Sequence, residues 1–452
     1  MSTAPRLQRH DGEPLTARLV ELIRARPVGE ADMRAAALFT LDAAASILAG
    51  QRSVPGEKLM RWARTLAPDG GSLDAPRRAF LMGALCHILE MDDLHRASVV
   101  HPGCAVVPAI FAMARGRPGH EALTAVLHGF EAATRVGMAV GPAHYRIWHN
   151  TATCGPFGSA MAAAYLLGLD DGAAIDALGN AGTQSGGLWE FLETGAHSKH
   201  LHAGRAAEAG VVAAGLAAQG FTGAPAILEG EKGIFRAMCP DDLPHRLLEG
   251  PGGPWQLRET SIKPWPSCRH THPAIEAALA VRAAIGGEPL SGNRLSAVTV
   301  ESYPAALDVC DRADVSSTYA AKFSLQHCVA AALALDGIDF EAFDGAARDR
   351  LAGERGKVRL AVSEPFASAY PAHWGARVTV SLADGDSRSA AVTDAKGDPE
   401  APLSDGEMVA KARMLMRSGG IDDPDPLIGA ILAMADNAPV PELDILKSGE
   451  PA

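Results

Sequence analysis

The sequence predicts a two-domain fold in which a large all-α helical domain, formed from both chain ends, carries an inserted, smaller α+β lid domain. The chain has 452 residues, more than one hydrophobic core usually serves. Helical patterns rich in Ala and Leu fill its first half, and alternating, β-branched segments follow only after about residue 290. Helical patterning then returns. The predicted boundaries are 1–262 and 397–452 for the helical domain and 263–396 for the lid.

The N-terminal half consists of helical patterns separated by Gly and Pro clusters. Aromatic residues make up only 5% of the chain, and many Ala residues allow close helix approach, which suits a wide bundle. We predict helices at Leu15–Arg24, Asp32–Leu48, Arg77–Glu90, Val106–Ala114, Leu123–Val136, Ser159–Leu166 and Ala206–Leu216.

The segment from Trp265 to Val392 has a different pattern. The β-branched run Val298-Thr299-Val300 and three alternating segments predict strands, and Asp384-Gly385-Asp386 predicts a hairpin turn. The predicted strands are Leu295–Ser302, Lys357–Val362, Arg377–Leu382 and Ser387–Val392, and the predicted helices are Pro273–Ala284, Ser324–Leu335 and Glu341–Leu351.

The last fifty or so residues are predicted to return to the helical domain. Ser404 and Glu407 have the S/T-x-x-E spacing of a capping box, which marks the start of a helix. The α+β segment is therefore predicted to be an insertion flanked by two hinges.

Charge and cysteine usage narrow the class of protein. The chain has 41 Lys and Arg against 53 Asp and Glu, a net charge of −12, which disfavours nucleic acid and anionic membranes as partners. Its seven cysteines are scattered and form no C-x-x-C pair, so we predict free thiols and a cytoplasmic location. The longest uncharged run, 151–169, is interrupted by Gly155, Pro156 and Gly158 and is predicted to be a buried helix.

The common nucleotide, metalloprotease and hydrolase motifs are absent from the sequence. It contains no G-x-G-x-x-G after a strand, no P-loop, no H-E-x-x-H and no G-x-S-x-G. No cofactor is therefore predicted.

Four polar segments inside apolar surroundings are candidates for the chemistry. In the first, His95 and His101 flank the carboxylates Asp92 and Asp93, which could orient an imidazole for proton transfer. A structural helix cap is an equally good interpretation, and a divalent metal is a weaker one, because no regular ligand spacing supports it. The other segments are His144–Thr151, Lys199–Arg205 before a predicted helix, and Lys263–Pro273 at the domain junction.

These segments together suit a small di- or tricarboxylate substrate. Lys and Arg side chains would hold carboxylates, and His side chains would move protons. Removal of a proton α to a carboxylate gives a carbanion-like state, which nearby cations stabilise. Dehydration, decarboxylation and epimerisation all pass through such a state and remain open at this point.

The same segments resemble the signature segments of the MmgE/PrpD family, which includes 2-methylcitrate dehydratases and cis-aconitate decarboxylases. The resemblance covers nearly the whole chain in order. It is carried by Met91-Asp92-Asp93 with His101-Pro102-Gly103, by Trp148–Thr153, Lys199–Ala207, Gly220–Gly223, Ile227–Gly230, Lys263–Pro266 and Arg269–Ala274, and by Ala321-Lys322-Phe323-Ser324. It implies a homodimer, metal-free catalysis without a cofactor, and an active site in the cleft between the domains.

The resemblance also implies the site residues. In this hypothesis His101 and His149 share acid–base duty, Asp93 orients an imidazole and His272 completes the proton relay. The catalytic residues are Asp93, His101, His149, Lys199 and His272; the substrate-binding residues are Glu90, His95, Tyr145, His202, Arg205, Lys263, Arg269 and Lys322. Glu90 and Leu94 depart from the Asp and Thr usual in decarboxylase-like relatives.

We therefore predict a metal-independent hydro-lyase, most like a 2-methylcitrate dehydratase, acting on a small hydroxy-polycarboxylate. The alternatives are a decarboxylase of the cis-aconitate type or an epimerase of a dicarboxylate on the same scaffold. A catalytically silent polycarboxylate-binding protein is a further alternative, which Leu94 in a polar segment favours.

Overall fold

The computed structural model describes residues 12–67 and 72–445, and most of these are helical. The helices of the N-terminal part pack around one apolar core rich in Ala and Leu. They are α1 (Leu15–Arg24), α2 (Glu30–Gly50), α3 (Val54–Leu66), α4 (Ala75–His87), α5 (Gly103–Met113), α6 (Gly119–Ala139), α7 (Pro142–Tyr145), α8 (Asn150–Leu166), α9 (Asp171–Gly182), α10 (Ser198–Ala217) and α11 (Ile234–Met238).

Each helix predicted for this part is present, and two further long helices were not predicted. These are α3 and α9, whose N-caps were local signals that could have found them. The side chains of Ser53 and Asp170 each accept a hydrogen bond from the backbone N–H three residues later. The uncharged run that begins at Thr151 lies mostly in α8, which is almost fully buried, as predicted.

Helix α10 begins earlier than the sequence pattern predicted. The polar segment Lys199–Arg205 was placed before a helix starting at Ala206, but it forms the first two turns of a helix that starts at Ser198. The polar residues do not stop the helix, because the Ala and Gly residues among them pack against α4 and α8. The predicted position of Lys199–Arg205 before the helix is therefore wrong.

The residues after about Arg269 form a smaller α+β part with its own apolar core. Its helices are α12 (His272–Ala284), α13 (Pro304–Cys310), α14 (Thr318–Lys322), α15 (Leu325–Ala334), α16 (Gly345–Arg350), α17 (Ala352–Arg355) and α18 (Phe366–Ala369). The four predicted strands are present, and, after the short pair β1 (Leu94–His95) and β2 (Thr260–Ser261), they are β3 (Leu295–Ser302), β4 (Val358–Val362), β5 (Ala376–Leu382) and β6 (Ser387–Val392).

Strands β3 to β6 form one sheet with the order β4-β3-β5-β6. Strand β4 runs parallel to β3, while β5 and β6 form the predicted antiparallel hairpin. In β5 the residues alternate between buried and half-buried, with Val378 and Val380 directed into the core. Helix α12 packs on β5 and β6, so the helices cover one face of the sheet.

The chain then returns to the helical core through α19 (Asp405–Ser418) and α20 (Asp425–Leu432). The predicted capping box is present, since Ser404 Oγ accepts from the Glu407 N–H and Glu407 accepts from the Ser404 N–H. Leu415, Met416 and Ile431 belong to the same core as α2. Both chain ends therefore contribute to the helical part, whereas movement of the α+β part as a lid stays a prediction.

Two connections join the helical and α+β parts, and they lie side by side. The N–H of Ile262 donates to the carbonyl of Gly397, and Ser261 Oγ donates to Asp398 at 2.6 Å. Gly397 has a φ of +89°, and a Cβ there would lie 1.9 Å from the Ile262 carbonyl oxygen. Only glycine permits this close approach.

Helix α2 is long and apolar enough to cross a membrane by length and composition. Most of its apolar stretch is buried inside the helical core, including Leu41, Ile47 and Leu48. Such burial is typical of a central core helix.

Candidate active site

A cavity of about 640 Å³ lies where the helical and α+β parts meet. Its helical side comes from the loop after α4, from α7, from the start of α8 and from the first turn of α10. The segment before α12, together with α13 and the residues after α18, closes the other side. The charged and imidazole side chains that line it are Glu90, His101, Arg146, His149, Lys199, Asp241, Lys263, Arg269, His270 and Asp308.

His101 lies just before α5, with one ring nitrogen committed to the protein. Its Nδ1 lies 2.5 Å from the Asp93 carbonyl oxygen and 3.3 Å from Asp92 Oδ2. Two acceptors at Nδ1 require the proton on that nitrogen, so Nε2 carries the lone pair. Burial lowers the pKa of His101 to about 4, despite the attraction of Asp92. His101 is therefore a neutral imidazole that can accept a proton at Nε2.

Asp92, rather than the predicted Asp93, is the carboxylate that faces the imidazoles. Burial would raise the pKa of Asp92, but His87, His101 and Lys263 hold it well below its usual value. The Asp93 carboxylate instead accepts the Gly103 N–H at 3.0 Å and caps α5. A Cβ on Gly103 would lie 2.7 Å from that carboxylate. Asp93 orients His101 only through its backbone carbonyl, which corrects the predicted role of its side chain.

His87, the last residue of α4, is a site residue that the sequence analysis missed. Its Nδ1 lies 2.6 Å from Asp92 Oδ2, and its ring packs against those of His101 and His149 at 4.6 and 5.6 Å between centroids. Its Nε2 is buried and has no hydrogen-bond partner among residues 12–67 and 72–445. In an apolar helical pattern a single His is typical of the core, and only its spacing of five residues from Asp92 was a signal.

Glu90 lies between the two lysines of the cavity. The Lys199 ammonium is ion-paired with Glu90 Oε1, and the Lys263 Nζ lies 3.4 Å from Oε2 and 3.2 Å from the Glu90 carbonyl oxygen. Burial would raise the pKa of Glu90, but the two ammonium groups lower it below its usual value. Glu90 also has a φ of +59°, a left-handed conformation that is uncommon outside glycine. The loop therefore holds this carboxylate in a strained backbone position.

His149, the N-cap residue of α8, lies on the far side of the His87 ring. Its Nδ1 is 3.3 Å from His202 Nδ1, and its ring packs on Trp189 at 4.7 Å. Burial and the neighbouring His87 lower the pKa of His149 well below its usual value. His202 itself does not line the cavity and reaches it only through His149.

Arg269 borders the cavity, but its guanidinium is fully engaged by the protein. It pairs with Asp398 at 2.5 Å and donates to the Ala395 and Lys396 carbonyls and to His272 Nδ1. His272 in turn donates from Nε2 to the Ser267 carbonyl at 3.3 Å and does not line the cavity. Arg269, predicted to hold a substrate carboxylate, and His272, predicted to relay protons, thus have structural roles where the two connections between the helical and α+β parts meet.

Three further predicted residues do not line the cavity. His95 bonds to Ser98 at 2.8 Å in the β1 region, and burial lowers its pKa to about 4. Arg205 is exposed and paired with Glu208, since six residues after Lys199 its side chain lies roughly 240° round the helix. Lys322 donates to the Leu89 carbonyl at 2.8 Å, and burial lowers its pKa to about 8.

His270 lines the cavity but was not among the predicted site residues. Its Nδ1 bonds to the Tyr303 hydroxyl at 2.7 Å, and its ring stacks on Trp374 at 4.4 Å. Burial lowers its pKa to about 3. The spacing of His270 and His272 gave no means to decide which of them faces the cleft, because that depends on the 3-10 turn at Arg269–Thr271.

The donor atoms of His87, Asp92 and His101 lie within 4.8 Å of one another, and among residues 12–67 and 72–445 they form the fully buried group that could hold a metal ion. The separation of 2.6 Å between His87 Nδ1 and Asp92 Oδ2 is that of a hydrogen bond. Ligands at 2.0–2.2 Å on a tetrahedral zinc ion would lie roughly 3.3 Å apart. The group fits a hydrogen-bonded network better than a metal centre.

Comparison with known proteins gives matches over nearly the whole chain. The model of the MmgE/PrpD N-terminal domain matches residues 16–246, and the model of the MmgE/PrpD C-terminal domain matches residues 265–424. The two matches are separated by residues 247–264, a stretch that contains Lys263.

Curated relatives are named for one reaction. A cis-aconitate decarboxylase-like protein of Aspergillus oryzae is 29% identical over 405 residues, 82% of each chain. Cis-aconitate decarboxylase of Aspergillus terreus is 28% identical over 261 residues, 52% of this chain and 53% of the relative. The human cis-aconitate decarboxylase is 31% identical over 214 residues, 45% of this chain and 44% of the relative.

Proposed function

The chain belongs to the MmgE/PrpD family, and on this premise we propose that it is a lyase that removes a proton α to a carboxylate and expels water, as a 2-methylcitrate-type dehydratase does. The proposal rests on the position of the neutral His101. Its Nδ1 lies 3.3 Å from Asp92 Oδ2, and its side chain lines the same cavity as Lys199 and Lys263. A base and two cations are the groups that such a reaction requires.

In the proposed reaction the substrate carboxylate binds at the ammonium groups of Lys199 and Lys263. His101 Nε2 takes the α-proton, and Asp92 stabilises the imidazolium that forms. The C–O bond at the neighbouring carbon breaks as the C=C bond forms, and the hydroxyl, hydrogen-bonded by His149, leaves as water with the proton from His101. His101 is then neutral again, so atoms and charge balance over the cycle.

Decarboxylation is a second candidate, because three relatives carry cis-aconitate decarboxylase names. In that reaction a C–C bond breaks, carbon dioxide leaves, and the carbanion is stabilised by the same lysines and protonated by an imidazolium. The low pKa of His101 favours dehydration, since its neutral form starts that reaction.

Product analysis in D₂O separates these reactions. The purified protein is incubated with 2-methylcitrate, citrate and cis-aconitate, and products are followed by NMR together with carbon dioxide release. We expect an alkene from a hydroxy acid without carbon dioxide, and His101→Gln should abolish it while the exposed control His245→Gln should not. Carbon dioxide release from cis-aconitate alone would establish the second candidate, and deuterium exchange without net reaction would indicate an epimerase.

We propose, from the family resemblance, that the protein works as a cytoplasmic homodimer without a metal. Light scattering during size-exclusion chromatography gives the mass directly. A mass near 47 kDa, that of one chain, at micromolar concentration would contradict the dimer.

A further inference from the structure

The charges that line the inner end of the cavity balance one another. Lys199 and Lys263 face the ionised carboxylates of Glu90 and Asp92, with Lys263 Nζ 3.4 Å from Glu90 and 3.7 Å from Asp92. His101 is neutral beside them. Two ammonium groups against two carboxylates leave a formal charge of zero before a substrate enters. Lys322, whose pKa burial lowers to about 8, does not line the cavity and adds one positive charge near Glu90.

The remaining cations add little to this balance. The Arg269 guanidinium is ion-paired with Asp398, which offsets its charge. Arg146, at the exposed mouth, forms no ion pair with any residue in the described ranges, but Asp241 and Asp308 line the same cavity. A tricarboxylate would bring three negative charges into this site, and burying charge without a partner is costly. One carboxylate at the lysines and a second at Arg146 are the most that the arrangement matches.

The rest of the cavity is a wall of aromatic rings held by mutual packing. Tyr145 meets Trp189 edge-on at 5.3 Å, Tyr370 stacks on Tyr303 at 4.7 Å, and Trp374 stacks on His270 at 4.4 Å. Phe323, Leu192 and Val309 fill the gaps between them. Rings fixed in this way offer apolar area at little cost in side-chain entropy.

The cavity is also larger than a small polycarboxylate needs. Its volume of about 640 Å³ is within the range of cavities that hold drug-sized ligands. A citrate-sized molecule held at the lysines would leave most of the aromatic wall in contact with water.

From these observations we infer that the substrate is a mono- or dicarboxylic acid that carries a large apolar group, aromatic or branched alkyl, rather than a compact tricarboxylate. The inference rests on the proposed function for the site of reaction, which is the carbon next to the carboxylate held by Lys199 and Lys263. The apolar group would lie against Trp189, Tyr370 and Trp374, with the second carboxylate toward Arg146.

Binding of three acids tests the inference directly. 3-Benzylmalate and 3-methylmalate share two carboxylates and a hydroxyl and differ only in the apolar group, whereas 2-methylcitrate adds a third carboxylate. By isothermal titration calorimetry we expect 3-benzylmalate to bind roughly tenfold or more tightly than either of the others, because burial of a ring replaces burial of a methyl group. Equal or tighter binding of 3-methylmalate or 2-methylcitrate, or no binding of any acid, would overturn the inference.

Substitutions of aromatic residues in the cavity wall test where the apolar group of the ligand binds. Trp189→Ala should reduce the preference for 3-benzylmalate over 3-methylmalate to below about threefold, while Trp189→Phe should keep most of it. Trp62→Ala, which removes a tryptophan that is 44% exposed on α3, is the matched control and should leave the preference unchanged. An unchanged preference in folded Trp189→Ala and in the corresponding Trp374→Ala protein would contradict this placement.

Turnover is scored separately from binding. Alkene formation from any of the three acids supports the proposed function, whatever their order of affinity, whereas deuterium exchange without net reaction would indicate an epimerase. Selective binding of 3-benzylmalate with neither change would reject the proposed function and leave the inference standing. Efficient turnover and equally tight binding of 2-methylcitrate would support the proposed function and reject the inference.

Discussion

His101 Nδ1 lies 3.3 Å from Oδ2 of Asp92, and both side chains are buried at the base of the cavity. His101 is neutral at pH 7. The Asp92 carboxylate therefore stabilises a positive charge on the ring only after His101 has taken up a proton. This relationship makes His101 the group whose replacement most directly tests the chemistry.

We expect His101→Gln to lower kcat by roughly 10²–10⁴-fold with little change in KM, because the amide cannot take a proton. Asp92→Asn should also lower kcat, since the imidazolium would lose its stabilising charge. Steady-state kinetics of the reaction identified by product analysis gives kcat and KM for each variant, with His245→Gln as the surface control. Full activity of a folded His101→Gln protein would exclude His101 as the base.

The pH dependence of activity follows from the same histidine. Because burial lowers the pKa of His101 to about 4, the base should be unprotonated throughout the range from pH 8 down to about 5.5. We therefore expect kcat/KM to be flat over that range and to fall as the pH approaches 4. An apparent pKa near 6.5 in kcat/KM, measured at a temperature at which the protein stays folded over the whole pH range, would show that the free enzyme uses a different group as the base.

Stability should decline with acid for a related reason. His95, His101 and His270 have pKa values of about 4, 4 and 3 in the folded protein, below the ordinary value of 6.5 expected on unfolding. The unfolded chain then binds more protons, so the stability from these neutral rings is present above about pH 6.5 and is lost as the pH falls toward 4. Melting temperatures measured from pH 8 to pH 4 should decrease once the pH is below about 6.5. A rise over that range would contradict the burial of neutral histidines.

Glu90→Gln should change which acids bind. The amide leaves the charges of Lys199 and Lys263 uncompensated, so 2-methylcitrate should bind roughly tenfold more tightly than to the unaltered protein. Calorimetry at low salt measures this, and the exposed Glu57→Gln on α3 is the control for overall charge. Weaker binding of 2-methylcitrate to Glu90→Gln would mean that Glu90 positions the lysines rather than limiting the charge that they accept.

Arg269→Ala is expected to destabilise the protein rather than merely raise KM. It breaks a buried pair with Asp398 at 2.5 Å and frees two backbone carbonyls at the junction, at a cost of roughly 3–5 kcal/mol. We expect the melting temperature to fall by at least about 5 °C. The exposed Arg205→Ala should leave it unchanged. A higher KM with an unaltered melting temperature would restore Arg269 as a substrate clamp.

Activity should survive removal of metal ions. His87 Nδ1 and Asp92 Oδ2 are hydrogen-bonded at 2.6 Å, a separation shorter than the roughly 3.3 Å between ligands of a tetrahedral zinc ion. Dialysis against EDTA followed by an activity assay and elemental analysis tests this. Loss of turnover that one divalent ion restores at a stoichiometry of one would show that these residues form a metal centre.

Most of the secondary structure could be predicted from local pattern alone. The alternation in Ala376–Leu382 and the capping box at Ser404 each depend on neighbouring residues, and each is present. The early start of α10 was not predicted, because Lys199–Arg205 interrupts the apolar helical pattern, and the packing of these residues against α4 and α8 is a tertiary feature.

The sequence by itself determined the helical and α+β regions, the family and the four segments that supply the candidate site. Tertiary structure alone decided which side chains within those segments face the cavity. Asp92 rather than Asp93 meets the imidazoles because Asp93 caps α5, and Arg269 is withdrawn because Asp398, 129 residues later, meets it at the junction. His87 joins the site only because α4 ends beside Asp92. Such outcomes depend on the direction of a side chain and on distant partners, and neither is encoded in the local periodicity of the chain.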